Sequence, residues 1–316
     1  MKRRDFLKLS GCFVATASAS SLVSACGDDG GGAEPEGTFL FEQGVASGDP
    51  RSSSVMLWTR VEAADGSTEP VALIAEVSET EDFAELVVSQ EIEATESSDF
   101  CVRLLVTGLS AGTTYFYRFT ADSDSITGRT RTAPADDDDT PVRLAWVSCQ
   151  DYGAGTYGAY RQMIVDDEAA AADEQIQVVV HLGDFIYETI GGRFQVPLDD
   201  QFEPIELVEG NGQLRAVEDF PSGGGADGEA RFARTLEDYR HLYKQYLRDP
   251  HLRAARARWP FIHTWDDHEF SDDCWQSQAN YTSNNSTNEP SQKRKVAVTI
   301  TIAFSFEADR QRFQSR

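Results

Sequence analysis

Basic residues are scarce in this chain: 28 Lys and Arg stand against 53 Asp and Glu over 316 residues, a net charge of −25. That balance argues against a nucleic-acid-binding surface, which needs clustered cationic side chains. It does not exclude phosphoester chemistry, because bound cations reverse a local potential. Long apolar runs are missing too. The most apolar amino-terminal stretch, residues 11–25, is too short and too rich in Ser and Ala to span a bilayer stably. Histidine is limited to five residues, and none follows His268. Of five cysteines, Cys12 and Cys26 fall in the leader, which leaves Cys101, Cys149 and Cys274. With three thiols, one disulfide leaves a cysteine that needs another role, such as metal ligation.

What is present at the amino terminus reads as an address. Lys2-Arg3-Arg4-Asp5-Phe6-Leu7-Lys8 resembles a twin-arginine export signal, with Arg3 and Arg4 as its pair and residues 11–25 as its core. Val23-Ser24-Ala25-Cys26 resembles a lipobox, so Cys26 is a candidate for lipidation; an ordinary cleavage site with an incidental cysteine is the other reading. Residues 1–26 are thus expected to be the signal. The protein is expected in the periplasm or at the cell surface, lipid-anchored if Cys26 is acylated. Residues 27–37, a run of Gly, Asp and Glu with one Pro, form a flexible tether.

The length and a 40% hydrophobic content suffice for two domains with separate cores. Residues 38–134 contain short β-branched runs (54–59, 71–77, 86–88 and 102–106) separated by polar turns, the pattern of an all-β sandwich. In residues 109–119 a turn precedes alternating Tyr115, Phe116, Tyr117 and Phe119, which resembles the tyrosine corner of immunoglobulin-like and fibronectin-like domains. Residues 135–141 hold four adjacent aspartates and read as an acidic linker; a calcium loop would need alternating spacing. Residues 142–290 then alternate: a buried strand at 142–147, a helix at 160–172 and a strand at 176–182, a βαβ unit of a layered α/β domain. Residues 191–228 lack a clear period and read as an active-site flank or lid, or a surface insertion. From Arg231, apolar residues at 236, 239, 242, 243, 246 and 247 mark a helix that Asp249-Pro250 ends, followed by a short helix at 251–258 and a strand from Pro260.

Three apolar runs break into ligand-type residues: Val147-Ser148-Cys149-Gln150, His181-Leu182-Gly183-Asp184 and Thr264-Trp265-Asp266-Asp267-His268. Carboxyl ends of neighbouring parallel strands share one rim, so residues far apart in sequence converge there. A carboxylate such as Asp184 can bridge two cations, and thiolate Cys149 with phenolate Tyr187 favours a strongly Lewis-acidic ion such as ferric iron. Asp267 supplies hard oxygen for a second ion, calcium being suited to an exported protein. His268 can donate to a phosphoryl group or leaving oxygen. His181, His241, His251 and His263 are expected to be structural or solvent-facing.

This order of motifs resembles the PhoD-like alkaline phosphatase and phosphodiesterase family of the metallophosphoesterase group. The resemblance begins with Gly44-Val45-Ala46-Ser47-Gly48-Asp49-Pro50 and Val55-Met56-Leu57-Trp58-Thr59-Arg60. It continues through Cys149, Asp184, Tyr187, Tyr239-Arg240 and Pro260-Phe261 to Trp275, covering roughly residues 37–290. It implies an exported hydrolase of phosphate esters using iron and calcium and metal-activated water. Cys149, Asp184, Tyr187 and Asp267 match the family's metal-binding positions, and His268 matches the histidine beside the phosphate. The expected fold is an α/β catalytic domain of metallophosphatase type, preceded by an immunoglobulin- or fibronectin-like sandwich.

The chain departs from the family by lacking a distal Asp-x-His segment. In residues 291–316, six basic residues outnumber Glu307 and Asp309, and Val296 to Phe306 form an uncapped β-prone run. We expect a frameshift or premature stop near Pro290, an incomplete catalytic domain and impaired activity; an ordinary exposed terminal strand is the alternative. A non-catalytic surface lipoprotein whose sandwich binds a partner or glycan is the rival reading.

Overall fold

The computed structural model describes residues 38–272, apart from 192–194, 200, 202, 210–211, 213 and 228–229. The export signal, Cys26, the tether, Cys274 and residues 291–316 lie outside the described residues. In chain order come β1 (Phe39–Leu40), β2 (Val45–Gly48), β3 (Ser54–Arg60), β4 (Glu62–Ala63), β5 (Val71–Ser78), β6 (Leu86–Ala94), β7 (Cys101–Thr107), β8 (Thr114–Ala121) and β9 (Asp124–Arg131). Then follow β10 (Leu144–Val147), α1 (Gly158–Ala169), β11 (Val178–His181), β12 (Thr189–Ile190), β13 (Gly225–Asp227), β14 (Ala230–Phe232), α2 (Leu236–Leu247), α3 (Pro250–Arg258) and β15 (Pro260–His263).

The period of two in the first hundred described residues sorts side chains between water and a core. In β8, Tyr115, Tyr117, Phe119 and Ala121 face inward and their neighbours are half-exposed. They pack with Leu73, Ala75 and Val77 of β5 against Val55 and Leu57 of β3 and Val102, Leu104 and Val106 of β7. Each such burial contributes about 1.5–3 kcal/mol. The Ser110 N–H donates to the Tyr115 hydroxyl at 2.9 Å, fixing the turn before β8. Strand β9 is not evident in the sequence because it is polar; its Gly128 gives passage to Tyr117, whose ring lies 2.5 Å from where a Cβ would stand.

One sheet runs through the region on both sides of the acidic linker. Its order is β10-β11-β15-β2-β3-β7, while β6-β5-β8-β9 form a second, antiparallel sheet. Strands β10, β11 and β15 are parallel, and β15 continues the sheet by pairing in parallel with β2, Pro260 against Ser47 and Phe261 against Gly48. Helices α1, α2 and α3 cover one face of the parallel part through Tyr160, Tyr239, Leu242, Tyr246, Leu252 and Ala255, which pack with Val179, Trp259 and Phe261.

Several sequence expectations need correction. The strand expected buried at 142–147 is an edge strand starting at Leu144, with Leu144 49% and Trp146 69% exposed, because among the described residues helices cover only its other face. The helix expected at 160–172 spans Gly158–Ala169. The long helix starts after Thr235, not at Arg231, because Thr235 and Asp238 form a reciprocal capping box and Ala230–Phe232 are a strand. Asp249-Pro250, read as a stop, also starts the next helix: Asp249 accepts the His251 and Leu252 N–H groups at 2.8 and 2.9 Å, and Pro250 occupies the first turn, where no N–H is needed. The described residues within 191–228 hold more order than their composition suggests. Arg215 is buried there, its guanidinium 3.9 Å from the Tyr152 ring and 2.8 Å from Asp249.

Candidate metal centre

The parallel strands end in register. Val147 lies opposite His181, and His181 opposite His263, so the three following loops leave from one rim. Hydrogen bonds continue past the strands: Cys149 N–H donates to Gly183 O at 3.1 Å, Gln150 N–H to Asp184 O at 3.0 Å and Thr264 N–H to His181 O at 2.9 Å. Two ligand-type residues sit in the left-handed region, Cys149 at φ 56° and Asp184 at φ 54°. Such conformations are uncommon for residues with a side chain and are held by the surrounding bonds. Gly183 has φ +107°, and a Cβ there would stand 2.3 Å from Asp266 N. The second and third loops can therefore touch only because residue 183 is glycine.

Buried Glu269 joins the same two loops from below, accepting the Phe185 N–H at 2.6 Å and the Asp266 N–H at 2.9 Å. Burial pushes its carboxyl up to about 7 despite these donors. Gln150 is buried as well, donating to Phe185 O at 3.0 Å and accepting the Tyr160 hydroxyl at 2.6 Å.

On this base the side chains converge at Asp184. The Cys149 thiol and the Tyr187 hydroxyl each lie 3.4 Å from its Oδ2. Its Oδ1 is buried without a hydrogen-bond partner. Ligand atoms of Asp184, Asp267 and His268 all lie within 4.8 Å of one another. The structure thus brings Cys149, Asp184, Tyr187, Asp267 and His268 to one place, and it groups His268 with the carboxylates. A buried carboxylate oxygen with no donor, among a thiol, a phenol, a second carboxylate and an imidazole, fits a cation site: hard oxygen with softer sulfur and nitrogen at one centre.

The electrostatics match that reading. Burial, reinforced by Asp184 and Cys149, pushes the Tyr187 phenol well above its ordinary range. The His268 ring packs at a tilt against Tyr187 with centroids 4.2 Å apart. Its Nδ1 hydrogen-bonds Glu188 Oε2 at 2.8 Å. Burial pulls this imidazole down, but Glu188, Asp184 and Asp267 outweigh it and raise the histidine to about 9. Glu188 is fully buried, also accepts the Asp272 N–H at 2.5 Å, and is itself pushed up by burial against the pull of His268. We read the pair as holding one proton along the Nδ1–Oε2 bond, with burial working on the carboxyl and the carboxylates on the imidazole.

Three acids were not singled out from the sequence. Glu188 follows Tyr187 with no distinguishing spacing, and its role depends on reaching His268 across eighty residues. Glu269 lies within the Asp-Asp-His-Glu run, yet its function is carried by backbone contacts. Asp151, beside the rim, is raised to about 6 by burial although Gly153 N–H donates to it at 2.8 Å. His181 is structural, as expected: it is fully buried against Phe185.

A parallel sheet with ligand-type side chains gathered at its carboxyl rim defines a class of α/β proteins that work at strand ends. Known proteins narrow the class. The family described as "PhoD-like phosphatase, N-terminal domain" matches residues 26–134, and the family "PhoD-like phosphatase" matches residues 144–300. Alkaline phosphatase D of Bacillus subtilis (strain 168) is 33% identical over 275 residues, 84% of this chain and 42% of that protein. The solved structure titled "Structure of PhoD" superposes with a TM-score of 0.64 at 30% identity, covering 83% of this chain and 45% of that one. The chain belongs to the PhoD-like phosphatase family. It spans less than half the length of the relatives it matches. Among the described residues, no helix is long and apolar enough to cross a membrane.

Proposed function

We propose that this chain carries the metal-binding part of an exported hydrolase of phosphomonoesters or phosphodiesters. The observation that carries the reading is Asp184, whose Oδ2 has a thiol and a phenol at 3.4 Å while its buried Oδ1 has no partner. A carboxylate with one oxygen beside ligand-type groups and the other left without a donor would suit a residue shared between two cations. Cys149, Tyr187 and Asp184 would hold ferric iron, and Asp184 with Asp267 would hold calcium. When bound, the ions would supply Lewis acidity toward phosphoryl oxygens and water. His268 would turn Nε2, now 3.5 Å from Asp272 Oδ1, to the phosphoryl group or the leaving oxygen, while Glu188 holds Nδ1 and fixes the ring. Glu269 keeps the loops of Asp184 and Asp267 at a constant separation.

Elemental analysis followed by an aryl phosphate assay tests this. Bound iron that is lost on Cys149→Ser and Asp184→Asn, with turnover following metal content, is the expected result. A folded wild-type chain that takes up no metal overturns the metal reading, and a metal-loaded chain without turnover overturns the hydrolase reading for this chain.

Export rests on Arg3-Arg4 and the lipobox-like Val23-Ser24-Ala25-Cys26, and on a family match that starts at residue 26. Replacing both arginines with lysine is expected to retain the protein in the cytoplasm. Cys26→Ser is expected to release it from the membrane fraction.

A further inference from the structure

The opposite rim of the parallel sheet, where β10, β11 and β15 begin, holds a cleft of about 360 Å³ that runs to strand β9 of the second sheet. Four arginines line it, Arg129 and Arg131 from β9, Arg143 before β10 and Arg258 at the end of α3. In a chain of net charge −25 this is an unusual gathering. Arg258 is neutralised by Asp167 at 2.7 Å and Glu168 at 3.3 Å. The other three have no carboxylate within salt-bridge distance among the described residues. Arg129 Nε donates to Arg258 O at 3.3 Å, Arg131 Nη1 to Thr114 Oγ1 at 3.2 Å and Arg143 Nε to Asp173 O at 2.8 Å, all neutral oxygens. Asp173 is the one carboxylate residue in the lining.

The lining also holds polar atoms with no partner. Arg131 Nε, Trp259 Nε1 and Thr130 Oγ1 are buried without a hydrogen bond, and Trp259 as a whole is fully buried. These atoms are shielded from solvent, so what the cleft itself presents to a ligand is the set of guanidinium groups that lack a carboxylate partner. We infer that this cleft is a binding site for a small phosphate-type oxyanion, of the size of inorganic phosphate or pyrophosphate. Planar guanidinium forks match phosphate oxygens two at a time. The volume is near the small end of ligand pockets, which run from about 300 to 1,000 Å³. Arg129 is held below its usual range by burial, with Arg258 and Arg131 adding to the effect against the pull of Asp167, and an anion between them would favour the charged form. Because the cleft joins β9 to the starts of β10 and β15, the anion would tie the two sheets together. The site lies at the other end of the strands from Asp184 and does not depend on the metal reading.

Calorimetric titration of the full chain with inorganic phosphate, and separately pyrophosphate, in EDTA and at constant ionic strength tests the site. Saturable binding is expected in the wild type and equally in Asp184→Asn, which disables the metal centre. Arg129→Gln with Arg131→Gln should weaken it by roughly tenfold or more, the loss of charge-assisted bonds. Arg143→Gln, at an exposed side chain, should weaken it several-fold with an unchanged circular dichroism spectrum, and this variant decides the matter if the double variant does not fold. Absence of saturable binding in the wild type overturns the inference. So does binding that survives Arg143→Gln at full strength, or binding abolished by Asp184→Asn.

Discussion

Gly183→Ala offers a direct test of how the rim is assembled. The backbone at residue 183 has φ +107°, where a side chain costs about 1–3 kcal/mol. The added methyl would also stand 2.3 Å from Asp266 N, 2.7 Å from Asp266 Cβ and 2.8 Å from Trp265 C. These are backbone or near-backbone atoms that cannot swing aside, so overpacking adds about 1–3 kcal/mol. The only relief is to part the loop of Asp184 from that of Asp267. Glu269 resists, since its carboxyl bonds both Phe185 N and Asp266 N, and breaking such bonds costs a comparable amount. A destabilisation of about 2–6 kcal/mol is therefore expected, together with loss of metal uptake, because Asp184, Asp267 and His268 no longer meet within 4.8 Å. Guanidinium denaturation gives the first quantity and elemental analysis after reconstitution the second. Gly155→Ala is the control, since nothing lies within 4 Å of a Cβ there, and should be nearly silent. A Gly183→Ala protein with the wild-type midpoint would refute the close approach of these loops and the site built on it.

Glu188→Gln should lower His268 from about 9 toward its ordinary 6.5, read by NMR titration of the metal-free protein; an imidazole still titrating near 9 would contradict the pairing. Burial lowers His181 from 6.5 to about 3, so the unfolded chain binds more protons in that window. Its contribution is complete above pH 6.5 and declines by about 1.4 kcal/mol per pH unit as pH falls toward 3; denaturation midpoints from pH 7 to 4 should show a slope that His181→Asn flattens. Arg215→Met leaves Asp249 buried without its cation, and a loss of about 3 kcal/mol in urea unfolding is expected; a change under 1 kcal/mol would show that the capping N–H groups suffice.

The convergence at the rim was legible because its signal is local. Each strand there ends in a Gly-Asp, Ser-Cys or Trp-Asp-Asp-His step, and parallel order does the rest. Strand β9 was not legible, since Asp124–Arg131 is polar and its place depends on Gly128 accepting the Tyr117 ring from β8. The burial of Arg215 was hidden for a similar reason: it reads as a surface charge until Tyr152, Glu209 and Asp249 surround it. Glu188 and Glu269 carry no periodicity at all. Their value comes from being buried opposite His268 and the Phe185 and Asp266 amides, which only the folded chain brings close.

The acidic linker divides the chain in composition but not in mechanics. The third ligand-bearing loop follows β15, and β15 is positioned on one side by β11 and on the other by β2. Strand β2 is anchored in turn by α3, where Arg256 donates to Gln43 O at 3.2 Å and stacks on Trp58 at 4.6 Å. Gly44, at φ +73°, faces Arg253 of the same helix, whose Nε lies 3.3 Å from where a Cβ would stand. Strand β2, Val45–Gly48, lies within the part matched by the family's N-terminal domain and is at the same time a central strand of the sheet that presents Asp267 and His268. A parallel strand without its neighbour would expose one edge of β15 and free its loop, and a cation site whose ligands must stay within 4.8 Å tolerates no such freedom. Strand β2, before the linker, is thus part of what holds the candidate centre.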